Sequence, residues 1–377
     1  MKRILAILFM TISAAVSIHA QQRFSTGIRS GYPFSPQGEM LKGENSLGRQ
    51  LRISVAADIQ YGFILPESYQ GIGLSVFSLF DHKDLGTPFS IYVFQGARIA
   101  QLSPTLSLDY EWNFGASFGW HSYAQSPFNT IIGSRVNAYI NGSIMLTWQV
   151  SKDWKIAVGP DMTHFSNGHT EIPNAGLNTA GLRFNMARTF GNQFVTERNE
   201  SITEEPDWKK NISIDLTMYG ALKKYAWKHD EDIYIAEGRF GVGGIHINPF
   251  YDFNRHFRAG ISLDMNFDES ASLQDHIAGI GPEKEIKFYR PSFSEQSAIG
   301  LSVRAELVMP IFSVHFGIGH NILYKGKYFK GFYQIIALKT HITRRLYLHT
   351  GYQFRDFNNP DNLLLGLGWR FSNSKKL

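Results

Sequence analysis

Apolar and polar residues alternate one by one along many segments of the chain, and this period of two predicts β-strands. In the segment 212–218, four apolar residues share one face and three polar ones share the other: Ile212, Ile214, Leu216 and Met218 against Ser213, Asp215 and Thr217. The segments 259–267 and 299–309 repeat the pattern. Because charged residues recur in the middle of these segments, the second face must contact water or other polar groups.

The alternating segments give sixteen candidate strands, joined by connections of two kinds. Every second connection is a tight turn, as at 102–104 and 151–152, and the intervening ones are longer, up to 268–296. Short turns at one end and long loops at the other are typical of outer-membrane barrels, and this arrangement puts 167–173 on the outer side. The candidate strands are 24–31, 51–63, 71–79, 88–101, 105–120, 134–149, 153–166, 174–190, 209–221, 233–247, 254–267, 297–310, 312–325, 330–343, 345–355 and 361–372.

The first twenty residues predict a secretory signal peptide. Lys2 and Arg3 precede a mostly apolar run, and small residues follow up to Ala20, after which we expect cleavage. No other window holds about 18 uninterrupted apolar residues, so a membrane location requires a closed barrel, in which every backbone polar group is paired. We therefore predict an all-β protein: an antiparallel transmembrane β-barrel of about 16 strands, within a range of 12 to 16, in the outer membrane.

Composition narrows the choice of function. The chain has no cysteine, which excludes disulfides and thiolate metal sites. Its net charge of +5, or +3 without Lys2 and Arg3, is too small and too evenly spread to indicate nucleic-acid binding. Abundant glycine (35 residues) and aromatics (14%) with only 18% charged residues suit twisted sheets with aromatic girdles.

The two halves of the chain resemble each other, which suggests that an eight-strand unit was duplicated. The hairpin from Trp154 to Phe184 parallels the one from Leu346 to Phe371, and both end in Gly-x-Arg-Phe. We divide the chain into a signal peptide (1–20), a first half with the candidate catalytic hairpin (21–190), a connector (191–208) and a second half (209–377). Two fused eight-strand barrels fit the repeat as well as one large barrel does. We favour the single large barrel.

The segment 164–178, His-Phe-Ser-Asn-Gly-His-Thr-Glu-Ile-Pro-Asn-Ala-Gly-Leu-Asn, stands out from the alternating background. His164 and Ser166 are two apart on a strand and therefore point to one face, as a serine nucleophile and its general base require. Counting by twos places them, and Asn178 on the next strand, on the apolar face. Polar groups facing lipid are costly, which favours a functional role. A bulge at Pro160 would reverse this assignment.

The same segment resembles the active-site signature of the lipid A 3-O-deacylase (PagL) family of acyloxyacyl hydrolases, through its His-x-Ser-Asn run and the Pro-Asn pair that follows. The resemblance implies that Ser166 is the nucleophile, His164 the general base and Asn167 a contributor to the oxyanion hole. The acidic third residue of the family falls at Asn178, an amide here. We expect Asn178 to orient His164, with Glu171 as the second candidate, a substitute acid. The looser similarity covers 24–190, and we expect no family counterpart for the second half.

Three hypotheses of function follow. In the first, the protein is an ester hydrolase that needs no cofactor or metal ion and acts on lipid A or lipopolysaccharide in the outer leaflet of the membrane. In the second, it is a non-catalytic channel or structural barrel, since sixteen strands leave room for water. In the third, it is a surface binding protein with 268–296 as the ligand loop. None of them involves nucleic acid, and the oligomeric state is not determined by the sequence.

Overall fold

The computed structural model describes residues 21–34, 51–64, 68–123, 125–126, 129, 131–168, 170–172, 174–191, 211–229, 232–281, 285–309, 312–343, 345–356 and 359–372. The predicted signal peptide and its cleavage site lie outside the described residues, as do the connector beyond Gly191 and His169 and Pro173 of the candidate motif.

The first barrel consists of eight antiparallel strands in chain order, and it closes because β1 pairs with both β2 and β8. Short turns join the strands at one end, and the longer loops lie at the other. The strands are β1 Gln21–Phe34, β2 Ser54–Ile64, β3 Ser68–Ser78, β4 Gly86–Ser103, β5 Leu106–Trp120, β6 Asn137–Gln149, β7 Trp154–Ser166 and β8 Leu177–Phe190.

The second barrel also has eight antiparallel strands, closed by the pairing of β9 with β20. Its strands are β9 Ile212–Lys223, β12 Phe240–Asn254, β13 Phe257–Asp268, β16 Ser297–Val308, β17 Phe312–Tyr324, β18 Phe332–His341, β19 Leu346–Arg355 and β20 Asn359–Ser372. Four short strands form a separate sheet in its long connections: β10 Ala226–His229, β11 Asp232–Ala236, β14 Ile277–Ile280 and β15 Glu285–Phe288. A 3-10 turn, Leu273–His276, precedes β14.

The described strands confirm the all-β class, the sixteen barrel strands and the eight-strand unit. The preference for one large barrel is wrong, because each half closes on itself. The candidate strand 233–247 is also wrong as a single element. It is interrupted around Gly238, whose φ of +89° is a left-handed conformation that ends β11 before β12 begins. The predicted loop 268–296 contains β14 and β15.

Alternation along each barrel strand separates an apolar outer face from a polar lumen. In β2, for example, Ile59 is 52% exposed and the adjacent Asp58 is 2% exposed. The buried charges are paired: Arg29 binds Asp58, and Arg183 Nη1 lies 2.7 Å from Glu111 Oε1. Pairing and hydrogen bonding are what make such charges tolerable away from water.

The second barrel is filled in the same way. Arg304 Nη2 lies 2.7 Å from Asp264 Oδ2, and Lys339 Nζ lies 3.0 Å from both Asp215 and Glu306. An eight-strand barrel is wide enough only for its own side chains. The structure therefore disfavours the hypothesis of an aqueous channel, which depended on a sixteen-strand wall.

An apolar cluster fills the long-loop end of the first barrel. It combines inward strand residues with residues from the loop after β5, and its members include Phe77, Leu85, Trp120, Ile131, Ile132, Phe165 and Leu177. Phe165 and Leu177 lie in β7 and β8 next to the candidate site, so the cluster fixes that hairpin from the inside.

In the described part of the chain, helices long and apolar enough to span a bilayer are absent.

Candidate active site

The candidate site lies where β7 ends and β8 begins. His164 pairs with Ile140 of β6 and with Asn178 of β8, and Ser166 pairs with Ala138 of β6. The β6–β7 register is the same on both sides of Pro160, so that residue causes no bulge. His164 and Ser166 therefore share the outward face with Met162, which is 51% exposed.

The site is nevertheless covered. Ser166 is 7% exposed and Asn178 is 5% exposed, although the neighbouring outward positions are open. The expectation that these side chains face lipid directly is therefore corrected in part. They belong to the lipid-side face of the strands, but the returning segment 174–176 packs against them. A covered site excludes water around a nucleophile, which strengthens electrostatic interactions there.

His164 is held by Asn178. Its Nδ1 lies 2.7 Å from Asn178 Oδ1. An amide oxygen can only accept, so Nδ1 carries the hydrogen and the lone pair remains on Nε2. That tautomer is the one that a general base acting through Nε2 requires.

Asn174 bridges two parts of the site, a role that the sequence did not reveal. Its Nδ2 donates to Ser166 Oγ at 3.0 Å, and its Oδ1 accepts from the backbone N–H of Asn167 at 3.3 Å. The Pro-Asn pair was the available signal, but Asn174 followed by Ala-Gly is also ordinary loop composition. Asn174 thus places one N–H donor on the serine oxygen and ties it to the Asn167 backbone, whose N–H is bound to Asn174 Oδ1.

Gly176 lets the returning segment pass close to the histidine ring. Its φ of +73° is left-handed, and a Cβ at this position would lie 3.5 Å from His164 Cε1. Glycine adopts this conformation without the steric cost that other residues have. The chain can therefore turn from Asn174 into β8 directly against the imidazole.

Glu171, the substitute acid of the sequence analysis, is engaged elsewhere. The loop residues Gly168–Ile172 belong to the compact unit of the second barrel, and there Glu171 Oε2 lies 2.7 Å from Lys224 Nζ while Oε1 binds Arg239. Burial raises the pKa of Glu171, but the hydrogen bonds and charges of Lys224 and Arg239 outweigh it and hold that pKa below its usual range. The side chain that contacts His164 Nδ1 is Asn178.

The residues that the structure describes contain no group of three histidine, cysteine or carboxylate side chains that would hold a metal ion. Ser166, His164, Asn178 and Asn174 bring together the hydroxyl, imidazole and amide groups from which a nucleophile, a base, an orienting acceptor and an amide donor can be built.

Comparison with protein families gives two matches. Residues 103–187 match the model of lipid A 3-O-deacylase (PagL), and residues 212–373 match that of the acyloxyacyl hydrolase C-terminal domain. Together they cover most of the chain. The expectation that the second half has no counterpart in the family is therefore wrong. No curated protein matches the chain.

The chain also resembles solved structures at low sequence identity. Neisserial surface protein A is 9% identical with a TM-score of 0.31, over 45% of this chain and 97% of its own. The siderophore receptor PirA from Pseudomonas aeruginosa is 7% identical with a TM-score of 0.29, over 94% of this chain and 81% of its own. CdiB from Acinetobacter baumannii is 10% identical with a TM-score of 0.20, over 94% and 60%. At these scores the likenesses carry no argument about function.

Proposed function

The chain belongs to the lipid A 3-O-deacylase (PagL) family, and on that premise we propose that it is an outer-membrane serine hydrolase that removes an acyl chain from lipid A or a related outer-leaflet lipid. The observation that carries the proposal is the contact of Asn174 Nδ2 with Ser166 Oγ, beside a His164 that is oriented by Asn178. A serine in an ordinary loop needs neither partner.

The reaction begins with proton transfer. His164 Nε2 takes the proton of Ser166 Oγ while that oxygen attacks the ester carbonyl of the lipid. The carbonyl oxygen becomes negative in the tetrahedral intermediate. Asn174 Nδ2 turns to it from Ser166 Oγ, and the Asn167 N–H donates to it after leaving Asn174 Oδ1. The bond between the acyl carbon and the sugar oxygen then breaks, and the sugar oxygen takes the proton from His164. An acyl-enzyme and a free hydroxyl on the lipid result.

Water completes the cycle. His164 Nε2 removes a proton from a water molecule, whose oxygen attacks the acyl carbonyl of the Ser166 ester. A second tetrahedral intermediate forms against the same two donors. Its collapse returns the proton to Ser166 Oγ and releases a fatty acid. The steps consume one water for each ester and require no metal ion or organic cofactor.

The position of the site supports a lipid substrate. It lies at the long-loop end of the first barrel, on the face whose residues further down the wall include Met162 and Leu182, 51% and 63% exposed. Outer-membrane barrels place their long loops on the outer side and their apolar outward residues in hydrocarbon. A lipid of the outer leaflet would thus reach Ser166 with its acyl chain along the wall.

Asn178 is an orienting residue in this proposal. It holds the tautomer of His164 but brings no negative charge to the imidazolium that forms during the reaction. Glu171 is too engaged with Lys224 and Arg239 to be the better candidate. We assign the chemistry to the barrel of 21–190, whose strands β7 and β8 carry His164, Ser166 and Asn178.

The experiment compares Ser166→Ala with Ser30→Ala. Ser30 lies on the exposed outer face of β1, so its removal tests the loss of a wall hydroxyl without touching the site. Lipid A is incubated with each purified protein in detergent and analysed by mass spectrometry for loss of an acyl chain. Wild type and Ser30→Ala should deacylate, and Ser166→Ala should not. Equal activity of Ser166→Ala would refute the proposal.

A further inference from the structure

The loop between β5 and β6 contacts the catalytic hairpin of the proposed enzyme through one backbone hydrogen bond. Gly176 N–H donates to the carbonyl oxygen of Ile131 at 3.1 Å. Gly176 is the residue that lies against His164 Cε1, and it stands between Asn174 and Asn178 in the chain. The position of the Ile131 carbonyl therefore sets the position of the segment that supplies both asparagines.

The Ile131 carbonyl is itself fixed by a buried side chain. Asn129 is fully buried, and its Oδ1 accepts from the backbone N–H groups of Ile131 and Ile132 at 3.2 and 3.0 Å. Its Nδ2 donates to the carbonyl oxygen of His121 at 2.7 Å, at the other end of the loop. One side chain thus makes three hydrogen bonds that close the loop and fix the direction of the Ile131 carbonyl group.

Apolar packing inside the barrel also holds the β5–β6 loop in place. The Ile131 and Ile132 side chains are 0% exposed and belong to the apolar cluster with Phe165 and Leu177. Phe165 lies between His164 and Ser166, and Leu177 lies between Gly176 and Asn178. The loop and the hairpin therefore share one core, and a shift of Ile131 moves the residues on either side of the candidate site.

We propose that Asn129 is a positioning residue for the deacylation reaction, acting through Ile131 and Gly176 on the placement of Asn174 and Asn178. The proposal rests on the proposed function of Ser166. The side-chain partners of Asn129 are backbone groups of His121, Ile131 and Ile132, so we expect it to affect the rate of the chemical step rather than binding. A misplacement of about 1 Å at a catalytic group can cost about a hundredfold in rate.

The test uses a long-chain alkyl fluorophosphonate, a probe that Ser166 Oγ attacks at phosphorus with loss of fluoride. The final extent of labelling reports the fraction of correctly folded protein, and the rate constant reports how well the site is positioned. The variants are Asn129→Ala, which loses all three hydrogen bonds, and Asn129→Asp, which keeps the acceptor for Ile131 and Ile132. Asn137→Ala is the matched control, because Asn137, the first residue of β6, is buried where the same connection ends and bonds Ser134 instead.

We expect full labelling of every folded variant. The rate constant should fall at least about tenfold for Asn129→Ala, less for Asn129→Asp, and less than twofold for Asn137→Ala. With lipid A, kcat should fall in the same order while KM stays unchanged. Rate constants for both Asn129 variants within twofold of wild type would overturn the proposal. Absence of labelling and deacylation in wild type would instead refute the proposed function, so the two failures are distinguishable.

Discussion

Asn178 lies directly opposite His164 across the β7–β8 pair, with its Oδ1 2.7 Å from the imidazole Nδ1. The antiparallel register alone brings the two side chains to one face, since opposite residues of neighbouring strands lie side by side. The contact fixes the tautomer and orientation of the base. It contributes no charge, which separates this site from one with a carboxylate at the same position.

Replacing Asn178 with the isosteric aspartate should therefore increase the rate. The new carboxylate would keep the hydrogen bond to His164 and stabilise the imidazolium of the transition state, so we expect kcat to rise about tenfold, or ~1.4 kcal/mol. Asn178→Leu, which removes the acceptor, should lower kcat by at least about a hundredfold. Lipid A deacylation at saturating substrate measures both. A slower Asn178→Asp enzyme would show that the site has adapted to the amide.

Asn174→Ala should remove the donor that contacts Ser166 Oγ at 3.0 Å. Because the proposed role of that donor is to bind the oxyanion of the transition state, we expect kcat to fall about a hundredfold with KM nearly unchanged. Asn174→Asp is the informative companion. It keeps an acceptor for the Asn167 N–H but loses the donor, so it should be as slow as the alanine variant. An active Asn174→Asp enzyme would exclude the oxyanion role.

Glu171→Gln should leave deacylation within about threefold of wild type, because the carboxylate belongs to a partly exposed ion pair of small free energy and is not the group that holds His164. The carboxylate is occupied by Lys224 and Arg239, whose charges hold its pKa below the usual range, and Asn178 is the partner of His164. Steady-state rates from pH 6 to 9 would check this. A hundredfold loss across that range would make Glu171 the acid of the site.

Strand alternation was enough to predict the placement of His164 and Ser166 on the outward face, because the period of two fixes direction once a strand is recognised. The covering of Ser166 was not predictable, since it depends on the path of residues 174–176 after the strand ends. The bridging role of Asn174 was not predictable for the same reason. A turn residue and a bridging amide have the same local sequence.

The sequence also did not predict which strands pair to close each barrel. The alternation in β8 is compatible with pairing to either β9 or β1. A single sixteen-strand barrel would have required β8 to pair with β9. The structure pairs Phe34 of β1 with Asn178 and continues that register to Gln22 and Phe190. Which strands meet at the seam depends on long-range pairing, which local periodicity does not encode.

Arg183→Met should destabilise the first barrel through the charges that it leaves behind. The guanidinium is fully buried, and its Nη1 lies 2.7 Å from Glu111 Oε1. Removing one partner of such a pair costs about 3 to 5 kcal/mol, whereas replacing both with apolar residues is often neutral. Urea unfolding in detergent should therefore show a large loss for Arg183→Met and recovery in Arg183→Met with Glu111→Leu. Arg188→Met, on the exposed outer face of the same strand, is the control and should change little. A double variant as unstable as the single one would mean that Arg183 stabilises the lumen by packing rather than by its charge.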